Sequence, residues 1–469
     1  MPRNYVVDPQ IVGDVFVGTD GDDAQLYLGQ LAETGPARKV YFGGSQEFVV
    51  LIVGKRGSGK SHTLGTIAES LATRENNTTI SKFRARRACL LLDPMGNFWT
   101  TAHLVDKEGP EKVRKQWASL DGWQCKPEDV DVSIWLPAGF KTANDPDNVQ
   151  EFRICTADLD AADLADLIGI NLMKDAQGAA LSEAFVAVTE DGWSDGASFK
   201  QAKRNYGLSD LIDFLEYLRQ QAVQQGGTDH SPTTLRALVR SLRALERQPA
   251  FSGNGTPMTE LLKAGRLSVL MLPIRVGSDF RRVITRLLIR RILREREQAS
   301  QIRQRLDVEK LDQTTRTRLE AELTGRIPRT ILALDEAQEL LGDEGGEARQ
   351  ALEDFCLLGR NYGLSLILAT QRPLASAISS KVRSQVDLQI IHRLLTQDDI
   401  NISHANLLTL LPREITDGSH NLDFAQLVRS LDRGQAIISA SHAHARDVVD
   451  RIIVARIRPR ITVHGGEVS

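Results

Sequence analysis

A glycine-rich loop between an apolar run and a helix-forming stretch is suited to binding phosphate. The run at 48–53 is followed by the octet GKRGSGKS at 54–61. Glycines let such a loop point several backbone N–H groups into one concavity at the positive end of a helix dipole. In this concavity a lysine reaches the β and γ phosphates, and the hydroxyl of the residue after the lysine ligates Mg²⁺. An ordinary glycine turn is the alternative, which the agreement of strand, loop and helix disfavours. The residues predicted to hold ATP and Mg²⁺ are Gly54, Gly57, Ser58, Gly59, Lys60, Ser61 and His62.

Two adjacent acids end a second apolar strand. The strand at 331–334 runs into Asp335 and Glu336. Asp335 would hold Mg²⁺ through its water shell, and Glu336 would polarise the attacking water. Since a small-molecule kinase has to keep water out of its site, this pair predicts hydrolysis. The alternative is that Asp335 caps the helix that follows the strand.

A third apolar strand, at 365–370, ends at Gln371. Ligands of α/β proteins collect beyond the carboxyl ends of the strands. An amide at this position could therefore bond the γ-phosphate or the attacking water. Strands and helices alternate around these three strand ends, so the sequence predicts an α/β core.

Composition bounds the class of protein. The chain has 469 residues, 41% of them hydrophobic, and a formal net charge of −3, so it is long enough for several cores and has no overall positive field for nucleic acid. Its four cysteines show no CxxC spacing, so the sequence predicts neither a zinc site nor a disulfide framework. Cysteines of this kind are typical of a reducing compartment. No apolar stretch approaches the ~18 residues that would span a bilayer. We therefore expect a cytoplasmic protein without a membrane segment.

The pattern of the chain divides it into five segments. Short β-like pieces precede the phosphate loop, a helical period dominates the middle, and β character returns before a long charged helical region. The predicted segments are an N-terminal β arm or reduced barrel at 1–46, the first part of the core at 47–155, a helical insertion at 156–250, the second part of the core at 251–440 with a charged helical hairpin at about 295–323, and a C-terminal tail at 441–469.

Five motifs in this order resemble the HerA branch of the HerA/FtsK ATPases. They are GKRGSGKS at 54–61, LDPMG at 92–96, LDEAQ at 334–338, GRNYG at 359–363 and ATQRP at 369–373. The resemblance covers about 47–440. It implies an α/β fold with a RecA-like P-loop ATPase core. The sequence pattern adds the helical insertion and a short N-terminal β module, which is smaller than the β-barrel with which HerA proteins usually begin. It also implies a homo-hexameric ring that pumps double-stranded DNA, commonly beside a nuclease or another effector.

The resemblance also implies roles for single residues. Lys60 and Ser61 would bind nucleotide and metal, Asp335 and Glu336 would be the Walker B pair, and Gln371 would be the sensor. By its place in the GRNYG motif, Arg360 would be an arginine finger that reaches the γ-phosphate of the neighbouring subunit. Asp93, in the LDPMG turn, would lie near the nucleotide. The alternatives are that Arg360 satisfies carbonyls at a helix end and that Asp93 only forms the turn.

Two basic clusters are candidates for DNA contact. A translocase needs cations along its channel to meet the phosphate backbone. A solvated face or a subunit interface is the alternative for both clusters. Aromatic residues do not interleave with them, so stacking on single-stranded bases is not predicted. The clusters are Lys82, Arg84, Arg86 and Arg87, and Arg281, Arg282 and Arg286.

Three functions fit this sequence. The first is an ATP-hydrolysing, ring-shaped DNA translocase or helicase that works with a separate nuclease or effector in DNA processing or antiviral defence. The second is an ATP-gated hexameric scaffold that switches an effector enzyme without processive translocation. The third is a peripheral conjugation or secretion ATPase. All three use the same nucleotide site, so the sequence leaves them open.

Overall fold

The computed structural model of the chain describes residues 5, 13–19, 24–32, 37–83, 86–225, 229–341, 346–373, 378–412, 415–417, 420–441 and 452–466. Its strands are β1 Val15–Thr19, β2 Ala24–Leu31, β3 Lys39–Gly44, β4 Val49–Val53, β5 Ser81–Phe83, β6 Ala88–Asp93, β7 Val132–Pro137, β8 Gln150–Phe152, β9 Ile154–Cys155, β10 Trp193–Ser194, β11 Phe199–Lys200, β12 Phe251–Ser252, β13 Leu267–Met271, β14 Thr330–Leu334, β15 Leu364–Thr370, β16 Leu388–Ile391, β17 Thr416–Asp417, β18 His420–Asn421, β19 Gln435–Ala440 and β20 Ile453–Ile457.

The helices alternate with these strands. They are α1 Lys60–Leu71, α2 Glu111–Ala118, α3 Ala161–Ile168, α4 Ala176–Val186, α5 Leu208–Gln225, α6 Pro232–Glu246, α7 Met258–Leu261, α8 Ser278–Val308, α9 Gln313–Thr324, α10 Ala337–Leu341, α11 Glu347–Tyr362, α12 Ser380–Arg383, α13 Gln397–Ala405 and α14 Phe424–Ser430. Within the described ranges, none of these helices is long and apolar enough to cross a bilayer.

The chain forms two compact units. The first consists of residues 1–134, 261–273 and 288–469. It is built around one sheet with the strand order β1-β3-β2-β20-β19-β16-β4-β15-β14-β6-β13-β7. The neighbours from β16 to β13 in this order pair in parallel. The predicted α/β fold with a P-loop ATPase core is confirmed.

The parallel strands form the centre of the core because they are apolar on both faces. Every residue of β4, β6, β14 and β15 is buried, as expected for parallel strands that are covered by helices on both sides. The predicted strands at 331–334 and 365–370 agree with β14 and β15 to within one residue at each end. Continuous apolar runs therefore sufficed to locate them.

The two ends of the chain are paired in the sheet of the first unit. β3 pairs with β1 and β2, and β2 pairs in turn with β20 from the C-terminal region. The pattern reading missed β2 and treated 441–469 as a tail, whereas residues 453–457 form β20 between β2 and β19. β2 and β20 lie outside the parallel strands and pair antiparallel with their neighbours. Their mutual pairing could not be predicted from local pattern, since it joins residues more than 400 positions apart.

The second unit consists of residues 135–260 and 274–287. Its main helices, α3 to α6, fall inside the predicted helical insertion at 156–250. α5 and α6 pack through one apolar stripe each, with Leu211 and Leu215 on the first and Leu235 and Leu238 on the second, all fully buried. The charged hairpin predicted at about 295–323 corresponds to the later part of α8 and to α9.

Candidate functional site

Five strand ends meet at one edge of the sheet of the first unit. The register pairs Val53 of β4 with Thr370 of β15 and with Ile391 of β16. In the same way, Leu334 of β14 pairs with Leu92 of β6. Because these strands are parallel, the residues at their carboxyl ends lie side by side at the same edge of the sheet. The chain thereby brings Gly54, Asp93, Asp335, Gln371 and His392 to one edge.

The phosphate loop follows β4 and opens α1. Gly57 and Gly59 have φ angles of 78° and 120°, which a residue with a side chain rarely adopts. A Cβ on Gly54 would lie 2.5 Å from Ser58 Oγ and 2.7 Å from His392 Cβ, so only glycine fits there. No side chain caps the start of α1, and the first N–H groups of a helix have no acceptor within it. The loop therefore has the form of an anion site.

Lys60 lies inside this site. Its side chain is 3% exposed, and its Nζ lies 3.6 Å from Glu336 Oε1. It also approaches the carbonyl of Lys55 at 3.5 Å, and Ser58 Oγ donates to the same carbonyl at 2.7 Å. Burial lowers the pKa of Lys60, and the neighbouring carboxylates of Glu336 and Asp335 partly offset this effect. An ammonium group in this place is available to a phosphate that enters the loop.

Ser61 and Asp335 form the second contact between the loop and the strand ends. Ser61 Oγ lies 3.2 and 3.3 Å from the two carboxylate oxygens of Asp335. Asp335 is fully buried, and burial together with the charges of Asp93 and Glu336 raises its pKa to about 8. A hydroxyl and a carboxylate are hard oxygen ligands of the type that Mg²⁺ prefers. The donor set therefore fits a cation that would also relieve the crowding of negative charge.

Glu336 is held from several sides. Its φ angle of 44° is unusual for a residue other than glycine, and its side chain is nearly buried. Gln371 Nε2 donates to Glu336 Oε1 at 2.7 Å, and Gln338 Nε2 donates to Oε2 at 2.8 Å. With Lys60 close to Oε1, both carboxylate oxygens have polar partners. The structure thus brings together the predicted base, the predicted sensor and the phosphate-loop lysine.

Asp93 has a clear structural task. Its carboxylate accepts backbone N–H groups from Met95 at 3.1 Å, Gly96 at 2.8 Å and Phe98 at 2.7 Å. Burial raises its pKa to about 6, and these hydrogen bonds act in the opposite direction. Asp93 therefore shapes the turn after β6 and also places a second carboxyl group near Asp335.

The His62 side chain faces the C-terminal segment. Its Nε2 lies 2.9 Å from the carbonyl oxygen of Arg458, and its ring meets the ring of His464 edge to face at 5.4 Å between centroids. Burial lowers the pKa of His62 to about 4. With its ring engaged in this way, any contact of His62 with nucleotide would use its backbone N–H.

Arg360 lies away from the phosphate loop of its own chain. It is near the end of α11, its side chain is 63% exposed, and its Nη2 pairs with Asp387 Oδ1 at 2.9 Å. Asp387 also accepts the N–H of Val49, the first residue of β4. The phosphate loop follows the other end of β4, so Arg360 lies at the opposite edge of the sheet. Any contact with a γ-phosphate would have to be made to another subunit.

Three of the seven basic residues considered for DNA contact, Arg87, Arg281 and Arg286, are buried. Arg87 is 2% exposed, with hydrogen bonds to Ser365 Oγ at 2.9 Å and to the Ser45 carbonyl at 2.8 Å. Arg286 is 2% exposed and pairs with Asp163. The proposal that these clusters line a channel is therefore wrong for the members that are buried, because their charges serve internal contacts. Lys82 is exposed, Arg86, Arg281 and Arg282 have partial or little exposure, and Arg84 lies outside the described residues.

Sequence reasoning missed His392 and Gln338. His392 is fully buried under the phosphate loop, with Nε2 2.8 Å from Thr63 Oγ1 and Nδ1 2.9 Å from the Gln435 carbonyl. Gln338 contacts Glu336 and accepts a hydrogen bond from Thr370 Oγ1 at 2.8 Å. The available signals were a histidine directly after the stretch that forms β16 and a glutamine two residues beyond the acids.

Comparison with known families identifies the chain. The family described as "Helicase HerA, central domain" matches residues 34–323, which is more than half of the sequence. The chain belongs to this family. The match includes the phosphate loop and Asp93, whereas Asp335, Glu336 and Gln371 lie beyond it. As a member of the HerA central-domain family with a P-loop ATPase fold, the protein is an ATP hydrolase.

The chain was also compared with solved structures, and three of them are described with their similarity to it. VirB4 of Thermoanaerobacter pseudethanolicus is 14% identical, with a TM-score of 0.49 and coverage of 95% of this chain and 98% of that one. The bacterial conjugative coupling protein TrwB, lacking its first 70 residues, is 12% identical, with a TM-score of 0.44 and coverage of 88% and 86%. The genome packaging NTPase B204 of Sulfolobus turreted icosahedral virus 2 is 11% identical, with a TM-score of 0.29 and coverage of 88% and 98%. A search of curated proteins found no match.

Proposed function

We propose that the protein is a translocase of double-stranded DNA that hydrolyses ATP at the subunit interfaces of a homo-hexameric ring. Membership of the HerA central-domain family supports this class of motor. The observation that carries the proposal is the meeting of Lys60, Glu336 and Gln371 at one edge of the sheet. These three groups suit hydrolysis, because each can act on the γ-phosphate or on the water that attacks it.

The binding step uses the phosphate loop. The N–H groups at the start of α1 and the Lys60 ammonium would receive the β and γ phosphates. Ser61 and Asp335 would hold Mg²⁺, which supplies positive charge next to the phosphate oxygens. Lys60 would then exchange its contact with Glu336 for one with phosphate. The Glu336 oxygen nearest to Lys60 would thereby lose a cationic neighbour.

The hydrolytic step uses Glu336 and Gln371. Glu336 would take a proton from the attacking water, and a positioned general base of this kind typically contributes about 10²- to 10⁴-fold in rate. Gln371 donates to Glu336 in the structure, so its amide is within reach of the same water. Arg360, exposed at the opposite edge of the sheet, would act in the site of the neighbouring subunit. This arrangement would couple hydrolysis to the ring.

The DNA and effector parts of the proposal rest on the family and on charge. With a net charge of −3, DNA contact has to come from local exposed cations, of which Lys82 is one. Binding through phosphates would be independent of sequence and sensitive to salt. The sequence shows no nuclease motif, so a separate nuclease or effector subunit would cut or modify the DNA. Such a pair would serve DNA processing or defence against foreign DNA.

Substitution of the base separates binding from hydrolysis. We expect Glu336→Gln to bind ATP with unchanged affinity and to hydrolyse it at least about 100-fold more slowly, because the amide cannot accept the proton of water. We expect Lys60→Ala to lose both binding and turnover. The measurements are steady-state ATPase rates and equilibrium binding of a fluorescent ATP analogue.

The matched control is Glu339→Gln, which alters an exposed glutamate three residues further along the chain. It should leave both binding and turnover at the wild-type level. A Glu336→Gln protein with wild-type kcat would refute the assignment of the base, and a Lys60→Ala protein with full activity would refute the nucleotide site.

A further inference from the structure

We propose that Gln338 is a positioning residue for hydrolysis, which anchors the Glu336 carboxylate and is itself oriented by the Thr370 hydroxyl. This inference deepens the proposed function and rests on it, since it takes Glu336 to be the base. Gln338 is the second residue of α10, and this helix begins directly after the two acids. Neither the motif that it belongs to nor the family match assigns it a task.

The contacts form a short chain from β15 to the base. Thr370 Oγ1 lies 2.8 Å from Gln338 Oε1, and Gln338 Nε2 lies 2.8 Å from Glu336 Oε2. Thr370 is fully buried at the end of its strand, and its Oγ1 also accepts the N–H of Arg372 at 3.1 Å. The hydroxyl is thereby fixed to the backbone. A rigid strand end thus defines where the Glu336 side chain lies.

The orientation of the Gln338 amide follows from chemistry. An amide has one accepting end and one donating end, whereas a carboxylate that serves as a base only accepts. The NH₂ group must therefore face Glu336, and the carbonyl oxygen must face Thr370. The Thr370 hydroxyl, which already accepts from the Arg372 N–H, has one hydrogen to donate, and Gln338 Oε1 at 2.8 Å is a closer acceptor than the Arg372 carbonyl at 3.1 Å. Loss of the hydroxyl would remove one of the two groups that favour this orientation over the flipped one.

Gln338 and Gln371 hold different oxygens of the same carboxylate. Gln371 donates to Oε1, which also lies 3.6 Å from Lys60 Nζ. Both of these partners have a second task in the proposed mechanism, since Lys60 contacts phosphate and Gln371 contacts phosphate or water. Gln338 bonds Oε2 and has no such task. Nucleotide binding would therefore release Oε1 for the attacking water while Oε2 stays anchored.

An anchor is needed here because of the backbone. Glu336 has a φ of 44°, in a region that residues with side chains seldom populate. Such a conformation persists only where surrounding contacts define it. Without the Oε2 contact, the carboxylate could rotate away from the line of attack, and a misplacement of about 1 Å can cost roughly 100-fold in rate.

The test compares variants that remove or keep the two hydrogen bonds. We expect Gln338→Leu, which keeps the side-chain size but has no amide, to lower kcat roughly 10- to 100-fold while nucleotide affinity changes less than about two-fold. Thr370→Val should lower kcat in the same way, and Thr370→Ser, which keeps the hydroxyl, should restore it. In a Gln338→Leu background, Thr370→Val should have no further effect, because the chain is already broken.

The outcomes separate this inference from the proposed function. All variants are measured beside Glu336→Gln for kcat, KM, nucleotide affinity and thermal unfolding. If Glu336→Gln keeps wild-type kcat, the proposed base is wrong. If Glu336→Gln is inactive and Gln338→Leu keeps kcat within about two-fold, the positioning role alone is refuted. Loss of nucleotide affinity or stability in parallel with kcat, with equal effects of Thr370→Val and Thr370→Ser, would instead indicate a structural role and would also refute it.

Discussion

At the scale of single residues, the site balances buried charges that would be unfavourable alone. Lys60, Asp335 and Glu336 are all nearly or fully buried, and Asp93 adds a further carboxyl group. Desolvation disfavours the charged forms of Lys60 and Asp335, and the opposite charge of Lys60 compensates only part of the excess of acid. The site is therefore prepared for a divalent cation together with an anionic ligand, which would match its charges more closely.

His392 gives a prediction for the effect of pH on stability. Burial lowers the pKa of His392 to about 3, whereas an unfolded chain takes up this proton near pH 6.5. Below pH 6.5 the unfolded state therefore binds a proton that the folded state rejects. The contribution of the neutral histidine to stability is complete above pH 6.5 and decreases by about 1.4 kcal/mol per pH unit as the pH falls towards 3.

The measurement is the thermal midpoint of His392→Gln and wild type between pH 8 and pH 5. We expect the variant to be less stable than wild type at pH 8, since one of two buried hydrogen bonds is lost. Its thermal midpoint should decrease less than that of wild type as the pH falls. His103→Gln, at an exposed histidine, serves as the control. The same pH dependence in wild type and His392→Gln would show that this histidine does not stabilise the fold in its neutral form.

Residue types and strand ends allowed part of the site to be predicted. Lys60 and Ser61 belong to a local motif, and Asp335, Glu336 and Gln371 end apolar runs, so their meeting at one sheet edge could be expected. The contacts of Gln338 and His392 could not. They depend on which strand lies beside which, and in this sheet the neighbours of β4 are β15 and β16, more than 300 residues further along the chain.

At the scale of elements, the helix of the phosphate loop is fixed by the C-terminal segment. Glu69 of α1 is fully buried and receives Arg458 Nη1 at 2.6 Å, as well as the N–H groups of Ile461 and Thr462, each at 3.1 Å. Arg458 also donates to the Thr66 carbonyl of α1 at 3.0 Å. The far side of α1 is thus held by a buried ion pair with its hydrogen bonds complete.

Removal of one partner should therefore destabilise the first unit. We expect Arg458→Ala or Glu69→Ala to lower the free energy of unfolding by about 3–5 kcal/mol, because each leaves a buried charge unpaired. Thermal unfolding and nucleotide binding measure the effect. Arg305→Ala removes an exposed ion pair between Arg305 of α8 and Glu309, and it should change the free energy of unfolding little. A wild-type midpoint for Arg458→Ala would show that the segment does not support α1.

Elements were predictable where local pattern determines them. β4, β6, β14 and β15 are apolar on both faces and could be read from composition alone. β2 and β20 could not, because their pattern is weaker and their pairing joins the two ends of the chain. The burial of Arg87 and Arg286 in the basic clusters could not be predicted either. Local sequence does not show that a buried carboxylate such as Asp163 lies opposite Arg286.

At the scale of the whole molecule, the position of Arg360 requires a second subunit for the proposed role. We expect Arg360→Ala to bind nucleotide normally and to lose about 10³-fold or more in turnover, as for other arginine fingers. Mixing Arg360→Ala with Lys60→Ala subunits should restore part of the activity, because some interfaces then combine an intact loop with an intact arginine. ATPase rates over a series of mixing ratios provide the measurement.

The control addresses the ion pair of Arg360. Asp387→Asn removes the charge of its partner and keeps an oxygen that can accept the Val49 N–H, so it should retain turnover. If Asp387→Asn is as inactive as Arg360→Ala, the pair matters for the fold of the subunit. If no mixture recovers activity, Arg360 does not act across an interface.

The most direct test of the account is the steady-state ATPase rate of the wild-type protein with and without linear double-stranded DNA, over a series of salt concentrations, with the particle mass measured in parallel. A translocating ring should be hexameric, and DNA should stimulate its turnover strongly. This stimulation should decrease steeply as salt increases, because phosphate contacts release counterions. A hexamer whose turnover is indifferent to DNA at every salt concentration would contradict the translocase and would favour an ATP-gated scaffold.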